Sequence, residues 1–191
     1  METWRVFCAV ELSSSVRQKL IEHSSRLREL APDVQASWSR EQNLHLTLKF
    51  LGQVQTSRLD RLSKAAAKAA TGLPTIELSI EETGAFPKHG RARVLWVGVK
   101  DASGGLRELQ RRLEEACDRE GFAKEGRSFH PHLTLARLRN PQSAQELVTA
   151  HKQLGFQPTP VTVSELLVLR SQLSPKGSKY SVISRHEIGR K

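Results

Sequence analysis

Two copies of the tetrapeptide His-Leu-Thr-Leu, at His45–Leu48 and His132–Leu135, are separated by 87 positions. Alternate side chains of an extended strand point to opposite faces, so each copy places a histidine and a threonine on one face and two leucines on the other. The imidazole and the hydroxyl then lie roughly 7 Å apart along the strand. We expect the leucines to anchor each strand in a core, and two such strands facing each other to share one cleft.

Two imidazoles and two hydroxyls in one cleft suit the cleavage of a phosphate ester. This reaction needs a base that activates the attacking oxygen and an acid that protonates the leaving oxygen. Imidazoles, with an unperturbed pKa of about 6.5, can divide these tasks near neutral pH. Threonine hydroxyls can donate hydrogen bonds to the non-bridging oxygens. We therefore predict four catalytic residues, His45, Thr47, His132 and Thr134, and the similarity of the two motifs leaves open which histidine is the acid.

Four residues near the motifs are candidate substrate ligands. Lys49 follows Thr47 by two residues, so regular alternation puts it on the same face, where it would add positive charge. Arg137 falls one position off the alternation and reaches the cleft only if the strand bulges or ends there; an arginine in solvent is the equal alternative. The rings of Phe7 and Phe50 can stack on a base, although packing in the core is the more frequent fate of such rings.

A metal site is the main alternative for the histidines, because His130-Pro131-His132 resembles a pair of zinc ligands. No Asp, Glu or Cys lies beside either motif, however. We therefore predict neither a metal nor any other cofactor. The remaining histidines are interpreted as ordinary residues without a role at the site: His23, His89, His151 and His186.

The composition favours an anionic partner and argues against a membrane protein. Lys and Arg number 30 against 20 Asp and Glu, which gives a formal net charge of +10 over 191 residues. Such a field attracts polyanions, of which nucleic acid is the commonest. No apolar run approaches the ~18 residues of a membrane span, and the first residues lack the apolar core of a signal peptide. We expect a cytoplasmic protein and, since there is no coiled-coil stripe, a monomer.

The pattern of elements repeats together with the motif. The order strand, helix, motif strand, helix, strand occurs twice, and Arg93–Val99 echoes Arg5–Val10 with an offset of 88. A chance tetrapeptide would not bring matching flanks. We therefore predict an α+β fold with one bilobal domain over residues 1–191, whose pseudo-twofold halves cover about 1–84 and 85–191. Further strands are predicted at 44–51, 76–80, 161–169 and 180–188, and helices at 16–30, 58–70, 106–117 and 142–154.

These motifs and their flanks resemble the two-histidine (2H) phosphoesterases and, more narrowly, the prokaryotic RNA 2′,3′-cyclic phosphodiesterases, long called 2′-5′ RNA ligases. The resemblance is carried by Arg5-Val6-Phe7, Asn43–Gly52, Gly84–Pro87, Phe129–Arg137 and Leu169–Gly177. It implies two antiparallel sheets with outer helices around a central cleft. It also implies metal-independent opening of RNA 2′,3′-cyclic phosphate ends to 2′-phosphomonoesters. The substrate stays open among tRNA halves, other cleaved RNA and small cyclic nucleotides.

The resemblance also assigns roles to individual residues. It implies that His45 protonates the departing 3′ oxygen, that His132 activates water, and that both threonines and Arg137 hold the phosphate. Ligation without ATP, through a 2′-5′ linkage, follows if a 5′-hydroxyl replaces water at the same site. Two other hypotheses remain: a module that binds RNA ends without turning them over, and a metal-dependent hydrolase.

Overall fold

The computed structural model describes residues 1–88, 90–139, 144–174 and 177–189. Within these residues the chain forms nine strands and four α-helices. In chain order they are β1 (Thr3–Val10), α1 (Ser14–Leu30), β2 (Ala36–Trp38), β3 (Leu46–Gln55), α2 (Leu59–Ala70), β4 (Ile76–Phe86), β5 (Val94–Lys100), α3 (Gly105–Arg119), β6 (His132–Leu138), α4 (Ala144–Leu154), β7 (Thr159–Val163), β8 (Glu165–Ser174) and β9 (Gly177–Glu187). None of these helices is both long and apolar enough to cross a membrane.

The strands form two antiparallel sheets, one ordered β3-β1-β8-β9 and the other β2-β6-β5-β4-β7. This confirms the predicted α+β fold with two antiparallel sheets. The sheets do not follow the two halves of the sequence, because β2 and β4 join the five-stranded sheet while β8 and β9 complete the four-stranded one. One continuous hydrophobic core contains residues of both sheets and all four helices. This core supports our proposal that residues 1–191 are one bilobal domain, while its division into halves near 1–84 and 85–191 stays a proposal from the repeated sequence.

The predicted elements differ from the observed ones in a few places. The strand predicted at 161–169 is divided at Ser164 into β7 and β8, and the short β2 was not predicted. Gly52 does not end β3: its φ of +68° lets the strand continue through an irregularity to Gln55. The predicted hairpin of residues 174–179 joins β8 to β9, and Pro175 and Lys176 lie outside the described residues. The start of the helix predicted at 142–154 and His89 also lie outside them.

Each motif strand contains a bulge immediately after its threonine. In the pairing of β1 with β3, Ala9 faces Thr47 and Cys8 faces Lys49, so Leu48 has no partner. In the pairing of β5 with β6, Trp96 faces Thr134 and Leu95 faces Ala136, so Leu135 has none. The two halves are therefore equivalent at an offset of 87 along both strands, and the offset of 88 predicted for the first strand is wrong by one residue.

The first bulge turns Lys49 away from the cleft and into the core, where its side chain is 1% exposed. Its Nζ donates to Glu114 Oε2 at 2.6 Å and to the carbonyl of Ala123 at 2.8 Å. Glu114 Oε2 also accepts from the backbone N–H of Glu125 at 3.3 Å. The prediction that Lys49 adds charge at the site is therefore wrong. The residue instead fastens β3 to α3 and to the loop that follows α3.

A second buried polar contact joins α1 and α4 to β5. Nε2 of His23 lies 3.0 Å from Nδ1 of His151, whose Nε2 lies 2.9 Å from the carbonyl of Trp96. Because a carbonyl only accepts, His151 donates from Nε2. Burial and the neighbouring His151 lower the pKa of His23 to about 4, and burial lowers that of His151. With these lowered pKa values, the neutral His151 ring then accepts from His23 at Nδ1. The two histidines, which were interpreted as residues without a role at the site, form a buried structural network.

Replacing Lys49 should reveal the cost of leaving the half-buried Glu114 without a cation. We expect Lys49→Met to lower the free energy of unfolding by about 3 kcal/mol, because removing the buried partner leaves a largely desolvated charge without compensation. The double variant Lys49→Met/Glu114→Leu should recover part of this loss. Urea unfolding measures both. If the double variant is less stable than Lys49→Met alone, the pair does not act in this way.

The buried histidine pair should make the fold sensitive to acid. A histidine whose pKa is lowered on folding binds its proton more readily in the unfolded chain, so stability falls as the pH drops below about 6.5. For His23 alone this amounts to about 2 kcal/mol between pH 7.5 and pH 5.

Urea unfolding at the two pH values checks this expectation. The stability loss should be smaller by about that amount in His23→Gln and unchanged in His130→Gln, which alters an exposed histidine. Equal losses in all three proteins would show that the pair does not set the pH dependence.

Candidate active site

The two motif strands belong to different sheets and contact each other, so the motifs meet between the sheets. All four leucines of the motifs are buried, with at most 4% of any of them exposed. The two histidines and two threonines are half-buried. The predicted alternation within each tetrapeptide is therefore confirmed: the leucines anchor the strands, and the imidazoles and hydroxyls lie on the opposite faces.

The ring of His132 is held by one hydrogen bond and two aromatic walls. Its Nδ1 lies 2.7 Å from the carbonyl of His130 and must donate to it, which leaves Nε2 unprotonated in the neutral ring. Phe86 meets the imidazole edge-on, with centroids 5.1 Å apart and planes at 83°, and Trp96 lies at 6.4 Å. Gly84 permits this arrangement, because a Cβ at that position would overlap the Trp96 indole.

The ring of His45 is held in the same manner. It forms a hydrogen bond with the backbone of Asn43, again two residues earlier, which raises its pKa. Tyr180 meets the imidazole edge-on at 5.1 Å and 82°, and Phe7 lies at 4.7 Å. The Asn43 side chain in turn donates from Nδ2 to the carbonyl of Ser178 at 2.8 Å. Strand β9 therefore supports His45 as β4 supports His132.

Burial disfavours the charged form of both imidazoles. It lowers the pKa of His45 to about 4 in spite of the hydrogen bond to Asn43. It also lowers the pKa of His132, where the hydrogen bond to His130 opposes the shift and the positive charge of Arg137 adds to it. Both rings are therefore mostly neutral at pH 7. A bound phosphate anion would raise both pKa values, since an opposite charge nearby favours protonation.

The bulges decide which side chains follow the threonines on the cleft faces. In β6, Leu135 is the extra residue, so Arg137 lies on the same side of the strand as His132 and Thr134 and is exposed. This bulge is held by Ser39, which donates from Oγ to the carbonyl of Thr134 at 2.7 Å and from its N–H to the carbonyl of Leu135 at 2.8 Å. The condition under which Arg137 reaches the cleft is therefore met.

The equivalent bulge in β3 brings Phe50 to the cleft, where 55% of the residue is exposed. Phe50 and Arg137 line a common groove of about 430 Å³, together with Arg5, Gly52, Gln53 and Arg127. Phe7 behaves differently: it is only 2% exposed and packs between His45 and Tyr180. The prediction that Phe7 stacks on a base is wrong, because neither face of its ring is open to a ligand.

Several residues of the site were not predicted. Tyr180 and Trp96 form aromatic walls, and Arg5 and Arg127 line the groove. Phe86 lies in a stretch that matched the family, although the match did not place it against His132. No spacing rule links these residues to the motifs, because they reach the cleft through strand pairing and a loop.

No cluster of three or more His, Cys, Asp or Glu side chains within the described ranges could hold a metal ion. Nδ1 of His132 binds the carbonyl of His130, whose own side chain is exposed. Metal independence stays a prediction for experiment.

Comparison with known proteins identifies the family. The model of the 2′-5′ RNA ligase superfamily matches residues 16–174. An RNA 2′,3′-cyclic phosphodiesterase of Methanothermobacter thermautotrophicus is 33% identical over 180 residues, which cover 93% of this chain and 95% of the relative. The enzyme of that name from Escherichia coli is 30% identical, with 96% of each chain covered.

Solved structures agree with these relatives. E. coli LigT complexed with 3′-AMP superposes with a TM-score of 0.79 at 27% identity, covering 99% of this chain and all of LigT. A protein from Thermus thermophilus superposes with the same TM-score and identity, covering 96% of this chain and 97% of its own. The match in sequence, fold and nearly full length leads to one conclusion: the chain belongs to the 2′-5′ RNA ligase superfamily.

Proposed function

We propose that the protein is an RNA 2′,3′-cyclic phosphodiesterase that opens cyclic phosphate ends to 2′-phosphomonoesters without a metal ion. One observation carries the proposal: two imidazoles, each held by a backbone group two residues earlier and by aromatic walls, lie on contacting strands with a threonine beside each. The relatives named RNA 2′,3′-cyclic phosphodiesterase, and LigT complexed with 3′-AMP, support the substrate class.

The reaction assigns one proton transfer to each imidazole. His132 accepts a proton from water at Nε2 as the water oxygen bonds to phosphorus. The bond between phosphorus and the 3′ oxygen breaks, and His45 donates a proton to that oxygen. The products are a 2′-phosphomonoester and a free 3′-hydroxyl, and exchange of protons with solvent restores both rings. This direction follows the family resemblance.

The position of Arg137 supports the same assignment, with His132 as the base and His45 as the acid. Burial is the main cause that lowers the pKa of His132, and the guanidinium of Arg137 on that side lowers it further, which favours the neutral ring that a base requires. Phe50 occupies the equivalent position on the His45 side and carries no charge. Burial lowers the pKa of His45 to about 4, so this ring must take up its proton when the phosphate anion binds and raises its pKa.

Thr47, Thr134 and Arg137 hold the phosphate in this proposal. The hydroxyls donate to the non-bridging oxygens, where negative charge grows in the transition state. The Arg137 side chain makes no hydrogen bond or ion pair with another described residue, so its donors are available to a phosphate oxygen. Phe50 offers an exposed ring to a base of the RNA.

Ligation is a second activity of the same site. If the 5′-hydroxyl of another RNA replaces water, the same transfers give a 2′-5′ linkage without ATP, and the reverse step cleaves it. The superfamily to which the chain belongs supports this reaction. Hydrolysis dominates unless a second RNA excludes water from the cleft.

We further propose that the enzyme acts as a cytoplasmic monomer on cleaved RNA, the halves of cut tRNA among its substrates. The net charge of +10 supports an RNA partner, because it speeds the capture of polyanions. A module that binds RNA ends without turnover is the alternative. The two are separated by whether a cyclic phosphate is consumed.

Replacing either motif histidine should abolish most activity. We expect His45→Ala and His132→Ala each to lower kcat at least about 100-fold, since a positioned acid or base contributes about 10²- to 10⁴-fold. His186→Gln, which alters a histidine of β9 hydrogen-bonded to Ser184, should keep wild-type activity. Phosphorus NMR of an RNA oligonucleotide with a cyclic end should show the 2′-monophosphate, with the same rate after treatment with EDTA.

Three results would contradict the proposed function. An unchanged cyclic phosphate with bound RNA indicates the binding module. Loss of activity in EDTA indicates a metal-dependent hydrolase. Activity that survives in both alanine variants excludes the two-histidine mechanism.

A further inference from the structure

The groove beside the motifs continues the cleft away from the reacting phosphate. On the shared face of β1 and β3, the paired residues Phe7 and Phe50 come one step beyond Thr47, and the pair Arg5 and Gln53 comes next. Each step of two residues covers roughly 7 Å. The groove therefore begins next to the proposed phosphate site and extends by about one more step, so it has room for a further unit of a chain.

Three arginines from different parts of the fold surround this groove. Arg5 lies on β1, Arg137 on β6, and Arg127 on the loop between α3 and β6. The Arg5 side chain makes no hydrogen bond or ion pair with another described residue. Arg127 pairs with Glu125 at 3.1 and 3.2 Å, but its side chain is 83% exposed. Such surface pairs contribute little, so a phosphate can replace the carboxylate as the partner of Arg127.

An aromatic ring lies among these cations. Phe50 is more than half exposed, and its nearest described ring is Phe7, with centroids 5.9 Å apart. Aromatic rings combined with a positively charged groove are the arrangement by which proteins bind single-stranded nucleic acid. Bases stack on the ring, and the cations follow the backbone.

The loop that carries Arg127 is held by hydrogen bonds to Lys49 and Glu114. The buried Lys49 binds the carbonyl of Ala123, and Glu114 accepts from the N–H of Glu125. These contacts hold the loop two residues before Arg127, so less conformational freedom is lost when the groove binds a ligand.

We propose that this groove binds the nucleotide that precedes the terminal one, with its base stacked on Phe50 and its phosphate between Arg5 and Arg127. The terminal nucleotide is the one that carries the cyclic phosphate. The preferred substrate class is then an RNA oligonucleotide with a cyclic end and not a cyclic mononucleotide. This inference rests on the proposed function, because it takes the motif histidines as the place of the terminal phosphate.

The experiment compares adenosine 2′,3′-cyclic phosphate with an adenosine trinucleotide that ends in a cyclic phosphate. Wild-type kcat/KM should be about tenfold higher for the trinucleotide, through one stacked base and its phosphate. Arg5→Gln and Arg127→Gln should each lower the ratio of the two kcat/KM values by about threefold to tenfold. Phe50→Ala should lower this ratio further than Phe50→Leu does. Arg107→Gln, at an exposed arginine of α3 outside the groove, should leave both values unchanged.

Salt provides an independent readout. Each phosphate contact to a single strand adds about 0.7 to the slope of log affinity against log salt concentration. The slope for log kcat/KM should therefore be steeper for the trinucleotide than for the mononucleotide, and Arg5→Gln/Arg127→Gln should remove most of the difference.

Two failures have different meanings. If the wild-type protein hydrolyses neither substrate, the proposed function is overturned together with the groove. If it hydrolyses both with equal kcat/KM, or if the arginine variants lower both values in equal proportion, only the groove assignment is overturned.

Discussion

A strand that alternates strictly shows every second side chain to the same face, and one extra residue reverses the order of everything that follows. Both motif strands contain such a residue, Leu48 in β3 and Leu135 in β6, directly after the threonine. The histidine and threonine come before the bulge and the ligand-facing side chain comes after it. This constraint brings Arg137 and Phe50 to the cleft and sends Lys49 into the core.

The same bulges make the two halves equivalent in backbone and different in chemistry. At the offset of 87, Arg137 is the counterpart of Phe50, and Ala136 is the counterpart of the buried Lys49. A symmetric pair of imidazoles has no preferred direction of proton transfer, so the flanking residues must supply one. In the proposed mechanism, the cation beside His132 and the uncharged ring on the other side supply this difference. Lys49 lies outside the cleft, where its ion pair with Glu114 holds the loop before β6.

The sequence was sufficient to predict the alternation of side chains within the two tetrapeptides, the burial of their leucines, the repeated order of elements and the α+β fold. These features depend on local periodicity, and a repeated motif with matching flanks is hard to explain by chance. The burial of Lys49 could not be predicted, because the hydrophobic pattern does not reveal where a strand contains a bulge. The walls of Tyr180 and Phe86 and the network of His23 and His151 depend on which strands and helices become neighbours. That arrangement includes the exchange of strands between the two sheets, which the linear order of elements conceals.

The central claim is that His45 and His132 act together on one phosphorus atom, and the double variant His45→Ala/His132→Ala tests it most directly. Residues that act as a unit are strongly non-additive, because losing one removes most of what the other contributes. The kcat/KM of the double variant on a cyclic-phosphate oligonucleotide should be no more than about tenfold lower than that of the less active single variant. If the factors by which the two single substitutions lower kcat/KM multiply in the double variant, the histidines act independently and the account is contradicted.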